Sequence, residues 1–300
     1  MAIQAGAADA AAATRTGIIV AIGAITLFSL LDVVSKILGQ SMSVIQIIWV
    51  RFLIFVPIAV AVAWRPGRGV AWRSTRPWLQ VARVLVLLVE MWFFLSAFAR
   101  IPLADAHAIG ASAPLIVTAL SVPFLGERVG WRRWSAVAVG FVGMLLIVRP
   151  GFADFDWAML YVVVGAILWA IYQIMLKIVG RLDSAATTGV WTAVIGALAM
   201  SAIGPFVWTE PGPMGWGLLV IAALLGGVGH IAYSHAFNLA PASTLQPFTF
   251  LMLVYAAAFG WMFFGDVPDG WTIGGALLIV ASGLYTFHRA RLRSGSRSLR

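Results

Sequence analysis

Cysteine is absent from the 300 residues, so disulfides, thiolate nucleophiles and Cys-ligated zinc or iron–sulfur centres are excluded together. Charge is scarce: Asp, Glu, Lys and Arg make up 10% of the chain, against about 25% in an ordinary soluble domain. Too few water-binding groups remain to cover a solvated surface, and the 62% hydrophobic content has to face lipid. No Gly-x-x-x-x-Gly-Lys-Ser/Thr loop and no HExxH motif occurs, which removes a nucleotide-driven pump and a zinc protease. The first sixteen residues lack the basic start and small-residue cleavage site of a secretory signal, and 1–16 is expected to be a short flexible cytoplasmic tail.

What is present is apolar sequence in lengths that cross a bilayer. Ten spans can be marked at about 17–38, 44–64, 79–100, 104–125, 131–149, 158–178, 186–208, 215–239, 243–264 and 271–288. The breaks hold turn and charge signals, such as Arg65-Pro66-Gly67-Arg68 and Asp266-Val267-Pro268-Asp269-Gly270. Ten spans take roughly 200 residues and leave no room for a soluble catalytic domain. Fifteen of the 20 Lys and Arg fall on the side of the two termini and three on the other, while Arg51 and Arg83 lie within spans. Both termini are therefore predicted cytoplasmic. The net charge of +9 is a topology signal here and implies no nucleic acid. Residues 289–300, with five Arg, read as a basic cytoplasmic tail against lipid headgroups.

The chain repeats itself. Ala97-Phe98-Ala99-Arg100-Ile101-Pro102 precedes span 4, and Ala236-Phe237-Asn238-Leu239-Ala240-Pro241 precedes span 9. Pro102 stands 24 residues before Gly126-Glu127, as Pro241 does before Gly265-Asp266. Phe28 and Lys36 in span 1 match Trp169 and Lys177 in span 6 with the same spacing of eight. Two five-span repeats, 17–149 and 158–288, follow. An odd number of crossings turns the second copy over, which is an inverted repeat and a transporter signature. The expected fold is all-α integral membrane, with ten transmembrane helices around a central cavity.

On these residues, together with Arg51-Phe52-Leu53, Phe124-Leu125-Gly126-Glu127-Arg128 and the Gly140 and Gly143 positions, the chain resembles the drug/metabolite transporter superfamily and its ten-helix EamA-type permeases. The second copy departs from the pattern mildly, with Asp266 where the first has Glu127. Among relatives the likeness is strongest to bacterial inner-membrane exporters of amino acids, aromatic ones included. It implies a cytoplasmic-membrane location and a cavity lined by spans 1, 3, 4, 6, 8 and 9.

Several polar residues lie deep in spans. Glu90 is near the middle of span 3, where an ionised carboxylate must be hydrated, paired or protonated; it is a coupling or substrate residue, with a structural carboxylate as the other reading. Phe94 shares its face. In span 8, His230, Tyr233, Ser234 and Phe237 form one stripe, with Asn238 beside it, and His230 is either a coupling partner of Glu90 or a packing residue. Trp169, Tyr172 and Gln173 form a second wall in span 6, and Phe28 a third surface in span 1. Asp32 and Arg51 lie at matching depth and are expected to form an ion pair. Arg83 is close enough to the span end to snorkel. Trp64, Trp72, Trp78, Trp131, Trp134, Trp157, Trp208, Trp216 and Trp271 fall at interfaces and anchor.

The expected function is secondary transport by alternating access, exporting small amphiphilic metabolites, aromatic or other apolar amino acids first. An exporter of flat organic cations is the alternative. An intramembrane hydrolase using Ser112 is a distant one, since Gly110-Ala111-Ser112-Ala113-Pro114 misses the Gly-x-Ser-x-Gly pattern. No enzyme activity, catalytic residue, cofactor, metal or obligate protein partner is expected; the partners are a small-molecule substrate and the lipid bilayer.

Overall fold

Two of the ten spans are broken, and proline breaks both. In the computed structural model, span 4 is α4 (Leu103–Gly110) followed by α5 (Ala113–Leu125). Pro114 has no N–H to offer the Gly110 carbonyl, and its ring crowds that carbonyl. The freed turn is closed instead by Ser112, whose Oγ donates to Ile109 O at 2.6 Å. Span 9 consists of α10 (Ala242–Leu245), a 3-10 turn over Gln246–Phe250 that contains Pro247, and α11 (Leu251–Phe264).

The other spans are single helices: α1 (Ala2–Leu38), α2 (Val44–Ala63), α3 (Pro77–Phe98), α6 (Trp131–Val148), α7 (Ala158–Val179), α8 (Ala185–Ser201), α9 (Gly212–Leu239) and α12 (Gly270–Arg297). The structure describes residues 2–65, 69–125, 129–151, 155–240 and 242–297. The side chains at 2–11, 65, 69, 125, 234, 237, 238, 242, 243, 246 and 289–297 lie outside that description. Among the described residues nine segments are long and apolar enough to span a membrane, and α8, at 17 residues, is a shorter apolar tenth. Trp64–Arg65 and Gly69–Val70 pair as a two-residue antiparallel ladder between α2 and α3.

Helical structure reaches into both terminal segments. Helix α1 already begins at Ala2 and takes in residues 2–16, because an alanine-rich stretch is intrinsically helical. Helix α12 continues through the basic run to Arg297.

Helix pairing follows the duplication. The broadest contacts are α1 with α9, α3 with α7, α2 with α8, and α6 with α12. Exchanging the halves turns the pair of spans 1 and 8 into the pair of spans 6 and 3, and returns spans 2 and 7, and 5 and 10, to themselves. The interface tryptophans named above are all exposed, with Trp131 at 75% and Trp78 at 73%, as expected for rings seated among headgroups.

At the α6/α12 crossing the backbones touch. A Cβ on Gly143 would stand 2.7 Å from Gly275 O, and one on Gly275 would stand 2.5 Å from Gly143 O. Lipid offers no hydrophobic drive for helix association, so this close approach supplies the packing that holds the pair. Gly143→Val should separate the helices and lower the apparent melting temperature of the purified protein. Overpacking of this kind costs about 1–3 kcal/mol, and an unchanged melting curve would show that the crossing is not under such constraint.

Candidate functional site

The lipid face of α3 is marked by exposed Trp78, Leu85, Val89 and Trp92. On the opposite face Gln80, Arg83, Glu90 and Ala97 are buried. Helix α9 turns Val220, Ile221, Leu224, Val228 and Ile231 outward. His230 stands on the inner face of α9, in ring contact with α1 and α2, yet it is exposed. Phe28 meets the imidazole edge-on at 5.0 Å between centroids and Tyr233 at 6.0 Å, and Phe55 lies 6.3 Å from the imidazole. Gly229 makes this possible, since a Cβ there would come within 2.8 Å of the Phe28 ring.

Charges gather beside these rings, but not in the expected pairs. Asp32 does not pair with Arg51: its Oδ2 lies 3.0 Å from Nε2 of His107, on the broken span 4. Matching depth placed Asp32 and Arg51 level along the membrane normal, but depth says nothing about rotation around the helix. Arg51 interacts electrostatically with Asp32, Glu90 and His230 and makes no hydrogen bond or close ion pair among the described residues. Its Nη2 lies 3.7 Å from where a Cβ on Gly226 would be, one turn of α9 from His230. Glu90 is only 8% exposed and likewise has no hydrogen bond among the described residues.

Arg83 does not snorkel. It is fully buried and donates to Gln80 Oε1 at 2.8 Å, the Tyr172 hydroxyl at 3.1 Å, Thr192 Oγ1 at 2.9 Å and Thr188 O at 3.3 Å. Tyr172 is thereby tied to α3 and stacks on Trp169 at 5.2 Å. Both rings, with Gln173 and Phe94, are half-buried. The Phe94 ring fills the space left by Gly110 and Gly165, where Cβ atoms would meet it at 3.0 and 2.5 Å, so it packs three helices together. The side chains of Ser234, Phe237 and Asn238 lie outside the described residues.

Each end of the bundle is tied by contacts between the halves. At one end Lys36 Nζ donates to Asp266 Oδ2 at 3.0 Å and Ile101 O at 2.9 Å, under the Phe264 ring. Nearby, Arg149 pairs with Asp269 at 2.8 Å, Thr272 donates to Asp105 at 2.7 Å, and the Gln46 amide makes two hydrogen bonds to the Thr209 backbone. At the other end Asp183 accepts from Ser74 Oγ, from Thr75 N at 2.8 Å and from Gln80 Nε2 at 2.8 Å. The sequence reading missed His107, Gln80, Asp183 and the lysine pair. Polarity within apolar runs flags His107 and Gln80, but nothing local names their partners. No group of three or more His, Asp or Glu able to hold a metal ion occurs among the described residues.

The EamA-like transporter family model matches this chain twice, over residues 15–149 and 156–287. The chain belongs to the EamA-like transporter family. It is similar to a riboflavin transporter of Rhizobium johnstonii, 29% identical over 276 residues and 86% of each chain. It is also similar to an S-adenosylmethionine uptake transporter of Rickettsia felis, at 26% identity over 86% of this chain and 87% of that one. A pseudopaline exporter of Pseudomonas aeruginosa is 28% identical over 89% of this chain and 94% of its own. A solved structure, titled only as the crystal structure of a protein, has a TM-score of 0.60 over 92% of this chain at 19% identity, and covers 99% of that chain. That likeness shows the fold alone. Members of the family are transporters, so this chain is a multi-pass membrane transporter of small molecules and not an enzyme.

In this EamA protein Asp183 lies between spans, in the α7/α8 connection, and holds the approach to α3. Burial raises its pKa, but the hydrogen bonds from Ser74, Thr75 and Gln80 outweigh that effect and hold the carboxyl at about 2. A carboxyl held below its unfolded value stabilises the fold above that value, and the contribution disappears as pH falls through the folded one. Asp183→Asn should therefore melt lower at pH 7, by on the order of 2–4 °C. The gap to the wild type should close between about pH 4 and pH 2. A constant gap over that window would exclude the ionised clamp.

Proposed function

We propose that this EamA-family protein is a secondary transporter of a small amphiphilic solute with a flat ring, moved by alternating access, with both termini in the cytoplasm. The carrying observation is the exposed imidazole of His230 on the inner face of α9, in ring contact with Phe28 and Phe55 and one turn from Tyr233, which supports open space inside the bundle. Edge-to-face and stacked ring contacts are worth about 0.5–1.5 kcal/mol beyond the area they bury, so such a wall selects flat solutes over aliphatic ones of the same size.

The relatives are named for riboflavin, S-adenosylmethionine and pseudopaline. The first two are ring-bearing solutes, which supports the same reading. Aromatic amino acids exported from the cytoplasm are the first solutes to test, and flat organic cations the second. Inversion of the second half gives the alternation its physical basis: two similar half-structures tied at opposite ends can exchange which end is closed.

Purified protein in liposomes should exchange at least one flat-ring solute, and Phe28→Ala or Tyr233→Ala should weaken it by about threefold to tenfold, the factor that one ring contact supplies. Full activity in both variants would remove the ring wall from the transport site. A reporter fused after Arg300 should be active only in its cytoplasmic form, as the bias of Lys and Arg requires; activity on the far side would reverse the assigned orientation.

A further inference from the structure

We infer that Arg51 and Glu90 form a head-group subsite for a zwitterion, with Arg51 taking a carboxylate and Glu90 an ammonium or other cationic group of the same small molecule. The inference rests on the flat-ring reading above and adds the charged end of the solute to it.

Charges elsewhere in the bundle interior are answered by the protein. Asp32 lies 3.0 Å from His107, although its Oδ2 accepts no hydrogen bond, Lys36 has Asp266 and Ile101 O, and buried Arg83 has Gln80, Tyr172, Thr188 and Thr192. Arg51 and Glu90 are the exceptions. They lie within electrostatic reach of each other and of the Asp32 carboxylate, yet among the described residues neither makes a hydrogen bond or a close ion pair. Glu90, more than nine-tenths buried, presents its carboxylate to the interior with nothing donating to it. A guanidinium carries five donors and a carboxylate two accepting oxygens, and a mutual contact would be the economical arrangement. No such contact forms, which leaves a gap in the pairing of two opposite charges.

A zwitterion fills that gap with its own charges reversed: carboxylate to the planar guanidinium fork, which binds carboxylates in bidentate fashion, and cation to Glu90. A solute with one charge would answer one group and leave the other unpaired, so the pair selects against simple acids and simple amines. The ring wall adjoins this gap. Gly226, beside the guanidinium, and His230 and Tyr233 follow i, i+4 and i+7 on α9, so head group and ring would be held along one helix face.

The test is counterflow in liposomes containing the purified full-length protein, loaded in parallel with L-tryptophan, S-adenosylmethionine or riboflavin. Competitors are L-tryptophan, tryptamine, which lacks the carboxylate, and indole-3-propionate, which lacks the ammonium. In the wild type, L-tryptophan should compete at least tenfold better than either analogue. Arg51→Gln should abolish its advantage over tryptamine, and Glu90→Gln its advantage over indole-3-propionate. Equal competition by all three would overturn the subsite and leave the flat-ring reading standing, as would counterflow of riboflavin without that of either zwitterion. Failure to move any of the three loaded solutes would overturn both. If a glutamine variant fails to purify, Arg51→Lys and Glu90→Asp replace it, and the wild-type competition is decisive without variants.

Discussion

Removing a charge from water into the hydrocarbon core costs several kcal/mol unless a partner replaces the lost hydration. That constraint arranges much of this protein. The chain has few charges, and several of those placed inside the bundle are spent on contacts between helices far apart in sequence: Lys36 with Asp266, Arg83 with Tyr172 and Thr192. Such contacts are directional where lipid-embedded apolar packing is not, so they fix which helices are neighbours and in what rotation. The glycines complement them. Where no polar group specifies the neighbour, as at Gly143 against Gly275, close backbone contact does.

The two ends of the bundle use different chemistry for the same task. At the Lys36 end the ties are ion pairs and a paired amide, partly shielded by Phe264 and the corner at Ile101. At the Asp183 end a carboxylate gathers donors from the start of α3, and Arg83 continues the network inward through Gln80 to Tyr172. Between them Phe28, Phe55 and Tyr233 gather around the exposed imidazole of His230.

The architecture was legible in the sequence because it depends on composition and period. Apolar length marked the spans, turn residues marked their limits, and the duplicated Phe98-to-Pro102 corner marked the repeat. The breaks in spans 4 and 9 were less visible: Pro114 and Pro247 were present, but a proline in a long apolar run kinks a helix or ends it depending on its neighbours. The candidate site was legible in type and obscure in pairing. Glu90 and His230 stood out as polar residues in apolar runs, and both lie on inner faces. Asp32 was assigned the wrong partner because depth can be counted along a helix while azimuth is set by tertiary packing. Arg83 looked close enough to the membrane surface to reach water, and only the position of α7 and α8 around it shows why it does not.

Lys36 and Asp266 lie 230 positions apart in the chain. A ribosome threading this protein into a bilayer delivers the lysine with the first span and its carboxylate only with the last hairpin. Throughout that interval the ammonium must be sheltered by something temporary: water at the interface, a lipid phosphate, or the insertion machinery itself. The same holds for the approach to α3, whose partner carboxylate, Asp183, arrives about a hundred residues later. Neither half is electrically finished by itself, so the early half waits for the late one, and the order of synthesis becomes part of how the membrane protein is assembled.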